Sequence, residues 1–237
     1  MKGVILVGGM GTRLRPVTYE IPKPLVPVQK KPIVNHLIEL FHKHGVNDIA
    51  LLASRGHEED FRRWQKAWDD YLAQRKVSIF YEEKPRGTFG GFELLKDWLG
   101  GERFVMTNGD DLKDVDFTSM IDLHKREGAL GTLALIEVEP EVVRSKGVPI
   151  REGNKIVNFL EKPDDPPSNW INAGTYVLES GVLDLVDFSR DGEIMIERDV
   201  FPQLAKQGKL AGFEMINSRW YDCGTLEKWE KAIKEWE

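Results

Sequence analysis

The sequence predicts an α/β fold: a Rossmann-like, mixed but mainly parallel sheet flanked by helices. Three observations predict it. Short β-branched runs alternate with amphipathic stretches as βαβαβαβα over about the first 125 residues, the pattern of parallel strands joined by helical crossovers. The apolar run "VILV" passes at once into glycines at 8, 9 and 11, the strand-to-turn step at which such sheets hold anions. The 237 residues are 41% hydrophobic and 30% charged, enough apolar content for one substantial buried core.

The elements follow in order. "GVILVG" reads as a buried strand. "KPIVNHLIELFHKHG" places Ile33, Leu37 and Phe41 at four-residue spacing, with Gly45 suited to cap its end. "NDIALLAS" is a second strand. "EEDFRRWQKAWDDYLAQ" reads as one helix with Phe61, Trp64, Trp68 and Leu72 on one stripe. "KVSIFYEE" is strand, "FELLKDWL" helix, "RFVMTNGD" strand and "FTSMIDLHKREG" helix. The second half is less regular: "GTLALIEVE", "KIVNFLEK", "INAGTYVLE" and "KLAGFEM" read as strands, "IERDVFPQLAKQG" and "LEKWEKAIKEWE" as helices. Neither an internal repeat nor a long linker interrupts the chain, and its one Pro-rich stretch, "KPDDPP", is a loop. A single domain over residues 1–237 is expected.

Charge and composition exclude several classes. A formal net charge of −6 argues against general affinity for nucleic acid. Any anionic ligand must be held by local cations against the field of the whole chain. One cysteine, Cys223, allows no internal disulfide and fits a reducing, cytoplasmic setting. No apolar run approaches the roughly 18 residues of a membrane span. His42 and His44 stand two apart, so on a helix they point to different sides and do not share a metal.

The stretch "GGMGTRLRPVTYEIPKPLVPV" carries the chemistry. Glycines let backbone N–H groups approach an anion, and a helix starting behind them adds a favourable dipole. The stretch is no P-loop, which needs a Lys after its last glycine. It is no dinucleotide fingerprint either, because Leu14 stands where the third glycine belongs. Instead Arg13 follows the loop, and Lys23 lies between two prolines that restrict where its ammonium goes.

This stretch resembles the N-terminal signature of the sugar-nucleotide pyrophosphorylases, nucleotidyltransferases that act on sugar 1-phosphates. Four later segments match in order: "TNGDDL", "NFLEKP", "INAGTYVL" and "WYDCGT". The likeness runs from Met1 to about Ala232, and "IERDVFPQLAKQGKL" adds similarity to the mannose-1-phosphate and heptose-phosphate guanylyltransferase branch. It implies a catalytic domain of the nucleotide-diphospho-sugar transferase type. The C-terminal left-handed β-helix of many such guanylyltransferases is not expected, since no hexapeptide repeat is present.

The resemblance implies that a sugar 1-phosphate and a nucleoside triphosphate, here GTP, give a nucleoside-diphosphate sugar and pyrophosphate. It also implies roles. Gly8, Gly9, Gly11 and Thr12 would cradle the triphosphate, and Arg13 the leaving pyrophosphate. Lys23 would sit by the α-phosphate, and Gly87 and Thr88 near the nucleoside. Lys162 would hold the sugar phosphate, beside Gly147 and Asn172. Glu161 would either bind sugar hydroxyls or orient Lys162. Magnesium would bridge Asp110 and Asp222, with Asp111 as a neighbour. Arg198 is a weaker phosphate candidate, and Cys223 is read as packing.

The resemblance implies that the end of the strand "KVSIFYEE" contacts the base; side chains alternate along a strand, so only one of Glu82 and Glu83 would face it. A carboxylate accepts two donors side by side, which guanine offers. Thymidylyl or uridylyl transfer is the alternative, since main-chain groups could read the base. Arg86 departs from the leucine commoner in "PRGTFGG". A non-catalytic sugar-nucleotide-binding subunit is the other rival. Retention of Arg13, Lys23, Asp110, Lys162 and Asp222 together argues against it. A homodimer is compatible with the chain, which does not fix the oligomeric state or the sugar.

Overall fold

The computed structural model describes residues 1–236. Its strands are β1 Lys2–Leu6, β2 Pro27–Val28, β3 Lys31–Pro32, β4 Asp48–Ser54, β5 Lys76–Glu82, β6 Phe104–Asn108 and β7 Asp111–Lys113. The rest are β8 Gly131–Glu137, β9 Gly147–Glu152, β10 Lys155–Glu161, β11 Trp170–Leu178, β12 Leu210–Glu214 and β13 Trp220–Asp222. The expected mixed sheet flanked by helices is present.

The chain forms two compact units. The first holds Met1–Pro85, Thr107–Asp114 and the chain from Arg219 onward; the second holds Arg86–Met106 and Val115–Ser218. In the first, strands run in the order β5-β4-β1-β6, with β1–β4 and β4–β5 parallel. The phenyl ring of Phe41, on helix Ile33–Lys43, packs so closely on β1 that a Cβ at Gly3 would lie 2.4 Å from it. Trp64 donates its indole N–H to the side-chain oxygen of buried Asn35 at 2.8 Å, which satisfies the indole inside the core. That helix ends as expected: Gly45, at φ 74°, follows its last turn. Two small antiparallel sheets complete the unit, β2–β3 and β7–β13.

In the second unit the order is β6-β11-β8-β12-β10-β9. The β12–β8 pair is parallel, while β11–β8, β10–β12 and β10–β9 are antiparallel. Aromatic side chains fill its core. Phe89 stacks on Phe92 at 4.6 Å, and Phe201 meets both Phe159 and Tyr176 at 5.2 Å.

Several elements depart from the periodicity. The expected helix over 58–74 breaks at Trp68 into Glu58–Ala67 and Asp69–Leu72. Asp69 and Asp70 there suit a new helix start, where carboxylates meet the positive end of the dipole. Gly90–Leu95 is 3-10 helix before the short α-helix Lys96–Leu99, because two consecutive glycines weaken an α-helix. The 196–206 stretch divides into Ile196–Asp199 and Phe201–Lys206, with Pro202 in the first turn of the second. Strand β9 was not foreseen. Its Pro149 disguises it, yet an edge strand tolerates proline.

Candidate functional site

In the first unit, β1 hands the chain to the glycine loop. The ladder continues one residue past the strand, with Val7 N–H donating to the Leu52 carbonyl at 2.8 Å. The three glycines differ in what they must do. Gly11 is left-handed at φ 58°, and a Cβ there would crowd Thr18 at 2.9 Å and Lys23 at 3.1 Å. A Cβ at Gly9 would meet nothing within 4 Å, so that side of the loop is open to a ligand. No long helix follows. The chain makes a 3-10 turn, Thr12–Leu14, and then the four-residue helix Val17–Glu20. The expected dipole is therefore weak. Side-chain cations must supply the positive charge.

Two are in place. Arg13 is exposed, and among the described residues its guanidinium has no ion-pair partner. It lies against Gly224, where a Cβ would come within 3.2 Å of its Nη2 and 2.6 Å of an Asp222 oxygen. Lys23 is almost fully buried in the short 3-10 helix Lys23–Leu25. Its ammonium donates to Asp110 at 2.8 Å and stands 4.0 Å from Asp222. The prolines beside it confine the side chain, as the sequence predicts.

The two acidic motifs meet through strands that the sequence does not announce. In the β7–β13 pair, Asp222 stands opposite Asp111 in register, which puts it next to Asp110. Gly109 seats the turn against β1, donating its N–H to Leu6 at 2.9 Å. A Cβ there would come within 2.6 Å of the same carbonyl. Asp111 turns away from this centre. It accepts from Trp220 Nε1 at 2.8 Å and pairs with Lys113 at 2.8 Å.

Electrostatics separates the acids. Burial opposes the charge on Asp110, but Lys23, through its charge and its hydrogen bond, outweighs that and holds the carboxyl below its ordinary value. Asp111 lies above it, because burial dominates and the Asp110 charge adds to it. Asp222, 7% exposed in its side chain, also accepts from Lys228 at 2.9 Å. Burial pushes the Cys223 thiol up to about 12, so it is no nucleophile and packs as read from the sequence.

Asp110 and Asp222 converge on one cationic atom, the Lys23 ammonium. Both are hard oxygen donors, and magnesium is held by one or two carboxylates while keeping waters and phosphate oxygens. The donor chemistry fits that ion. Among the described residues no set of three acidic, His or Cys side chains converges as a metal site.

The strand ending in Glu82 and Glu83 divides them as alternation requires. Glu82 is buried, and its Oε2 lies 3.8 Å from the Cβ that a side chain at Gly8 would carry. Glu83 is exposed and pairs with Arg55 at 2.9 Å.

The expected sugar-phosphate residues lie in the second unit. Gly147 faces Glu161 across β9–β10. A Cβ at Gly147 would approach a Glu161 oxygen at 3.2 Å. Lys162 follows at φ 51°, its side chain 61% exposed and its ammonium 3.3 Å from Glu161. A non-glycine residue in that left-handed region is uncommon. Asn172 opens an irregularity in β11, donating to the Tyr176 hydroxyl at 2.8 Å and accepting from Gly174 N–H at 3.0 Å. Arg198 is exposed, while Arg86 is anchored to main-chain carbonyls.

Comparison with known proteins places these features. The sequence profile of the family described as nucleotidyl transferase matches residues 2–237. The chain is 35% identical over 226 residues to the mannose-1-phosphate guanylyltransferase catalytic subunit beta of Xenopus tropicalis. It is 37% identical over 231 residues to a mannose-1-phosphate guanyltransferase of Candida albicans, and 35% over 229 to one of Mycobacterium tuberculosis. Each match covers 94% of this chain and 61% of the relative. Among solved structures, a Bacillus anthracis protein described as a glucose-1-phosphate thymidylyltransferase, in complex with sucrose, superposes at TM-score 0.88. It is 26% identical, covering 99% of this chain and 94% of that one. A UDP-glucose pyrophosphorylase complexed with UDP-glucose shares the fold at TM-score 0.82 and 24% identity, over 98% and 97% of the two chains.

Proposed function

Because the chain belongs to the nucleotidyl transferase family, we propose that it transfers a nucleotidyl group from GTP to a mannose-type sugar 1-phosphate, releasing pyrophosphate. The carrying observation is the buried Lys23 ammonium set between Asp110 and Asp222 beside the glycine loop. The names of the relatives support the sugar and the base.

The reaction brings two polyanions together. One pair of like charges at 4 Å repels by about 1 kcal/mol in water and about 4 at an effective dielectric of 20. Several such pairs oppose the encounter, so the site needs fixed cations more than an acid or base. Gly8, Gly9, Gly11 and Thr12 line the triphosphate. Arg13, with no anion of its own, takes the departing pyrophosphate, for which its forked donors suit bidentate contact. Lys23 serves the α-phosphate, where charge builds as the sugar phosphate oxygen attacks in line. Lys162, exposed beside Glu161, brings the sugar phosphate, and Gly147, Glu161 and Asn172 line the sugar. Asp110 and Asp222 would hold magnesium, which when bound would supply charge neutralisation at the phosphates. Glu82 reads the base: guanine's N1–H and amino group match its two oxygens.

The likeness to the Bacillus anthracis structure supports a second reading, thymidylyl transfer to glucose 1-phosphate. One experiment separates them. The purified chain is offered four triphosphates with mannose, heptose and glucose 1-phosphates, and pyrophosphate release is followed with magnesium. GTP with a mannose-type phosphate is expected to be used best. Preference for dTTP or UTP would favour the second reading, and no release with any pair would reject catalysis.

A further inference from the structure

Arg86, Gly87 and Thr88 share one structural task. Arg86 donates from its guanidinium to the Phe188 carbonyl at 2.9 Å and to the carbonyl of Gly192 at 3.4 Å. Its own carbonyl accepts from Ile194 N–H at 2.8 Å, and Phe89 N–H returns a bond to Ile194 at 2.9 Å. Gly87, at φ 85°, allows this approach: a Cβ there would stand 2.7 Å from both the Ile194 oxygen and the Met195 sulfur. The segment from 188 to 197 is thus clamped by 86–89.

The clamp ends on Thr88. Its hydroxyl accepts from Ile196 N–H at 3.0 Å and donates to Glu197 Oε2 at 2.7 Å. A hydroxyl has one proton to give, and this one is given to Glu197. Helix Ile196–Asp199 packs against β10, the strand that ends at Glu161. Burial holds the Glu197 carboxyl above its ordinary value. The Thr88 bond opposes this, the Glu161 charge reinforces it and the Lys162 ammonium opposes it. Glu161 is the last residue of the strand on which this helix packs, and Lys162 follows it. Among the described residues no side-chain cation pairs with it. The carboxylate, partly buried, accepts from Thr88 and from its own main-chain N–H; its two oxygens offer about four acceptor sites, so it can still accept from a ligand.

We propose that Glu197 is a sugar-specificity residue, its carboxylate accepting hydrogen bonds from hydroxyls of the sugar 1-phosphate, and that Thr88 is the positioning residue that aims it. The proposal rests on the transferase reading above. It reassigns Thr88 from the nucleotide to the sugar. A carboxylate held at a fixed place distinguishes sugars by where their hydroxyl donors point, and a mismatch leaves a buried acceptor unpaired.

The experiment compares wild type with Glu197→Ala, Glu197→Gln, Thr88→Val, Thr88→Ser and the Thr88→Val/Glu197→Ala pair. KM and kcat are measured for each substrate, with melting temperatures alongside. Glu197→Ala and Thr88→Val are expected to raise KM for the sugar 1-phosphate tenfold or more and to leave KM for the triphosphate within twofold. Thr88→Ser should restore wild-type behaviour, and the double variant should be no worse than Glu197→Ala alone. Discrimination between mannose and glucose 1-phosphates should narrow in Glu197→Gln, which keeps the volume if the alanine variant does not fold. Unchanged discrimination in Glu197→Gln, or an equal rise in both KM values, overturns the proposal while leaving the transferase reading intact. A wild-type chain inactive with every pair overturns both.

Discussion

Asp222 sits between two ammonium groups, Lys23 and Lys228, with almost no exposure to water. Lys228 escaped the reading of the sequence, though a signal exists. It lies in the first turn of helix Leu226–Glu235, where a cation meets the positive end of the dipole and is disfavoured. Its bond to Asp222 gives the reason. Removing either acid of the pair takes a charge and a ligand from the metal proposed there. Asp110→Asn and Asp222→Asn are each expected to keep less than about a tenth of wild-type turnover at saturating magnesium, a barrier increase above about 1.4 kcal/mol. A folded Asp222→Asn protein with more activity than that would remove its metal role.

At the scale of the element, strand β5 turns alternation into a division of labour. Glu82 is buried beside the glycine loop, and Glu83 is exposed on Arg55. Glu82→Gln is expected to lower the preference for GTP over dTTP at least tenfold. An amide offers one acceptor and one donor where guanine needs two acceptors. Glu83→Gln should leave that preference within twofold, since it loses only an exposed ion pair of small worth. Competition between triphosphates reads both variants, and a shift confined to Glu83→Gln would reverse the assignment. The same alternation was legible beforehand, but which of the two acids faces inward was not, because β5 has only half-buried neighbours from Val77 to Tyr81.

At the scale of the whole molecule, buried imidazoles set the response to acid. Burial is the main cause holding His36, in the first unit, and His124, in the second, below the ordinary imidazole value. His124 bonds Thr132 at 2.8 Å and Glu179 at 3.3 Å. A folded pKa below the unfolded one means that the unfolded chain binds more protons as pH falls through about 6.5. The stability from each neutral imidazole is therefore complete above that value and is lost below it. Asp111 and Glu197, raised by burial, act in the opposite sense. The melting temperature of His124→Gln should consequently fall less between pH 7 and pH 5.5 than that of wild type. Parallel curves for the two proteins would show that His124 does not titrate with unfolding.

The sequence by itself determined the longer strands of the main sheet apart from β9, the glycine loop, and the residue types that meet an anion. Strand periodicity and each motif taken singly are local properties, written within a few neighbouring residues. The confinement of Lys23 by Pro22 and Pro24 belongs here too, since proline acts on its immediate neighbours. Only the tertiary structure decided which charges meet. Asp222 reaches Asp110 through the β7–β13 pair, two strands of three residues, too short to show a period. Thr88 reaches Glu197 across 109 positions of chain. The breaks at Trp68 and Val200 likewise answer to packing and capping more than to hydrophobic spacing. Short strands, caps and long-range polar pairs gain their energy from partners distant in sequence, so the pattern along the chain carries little trace of them.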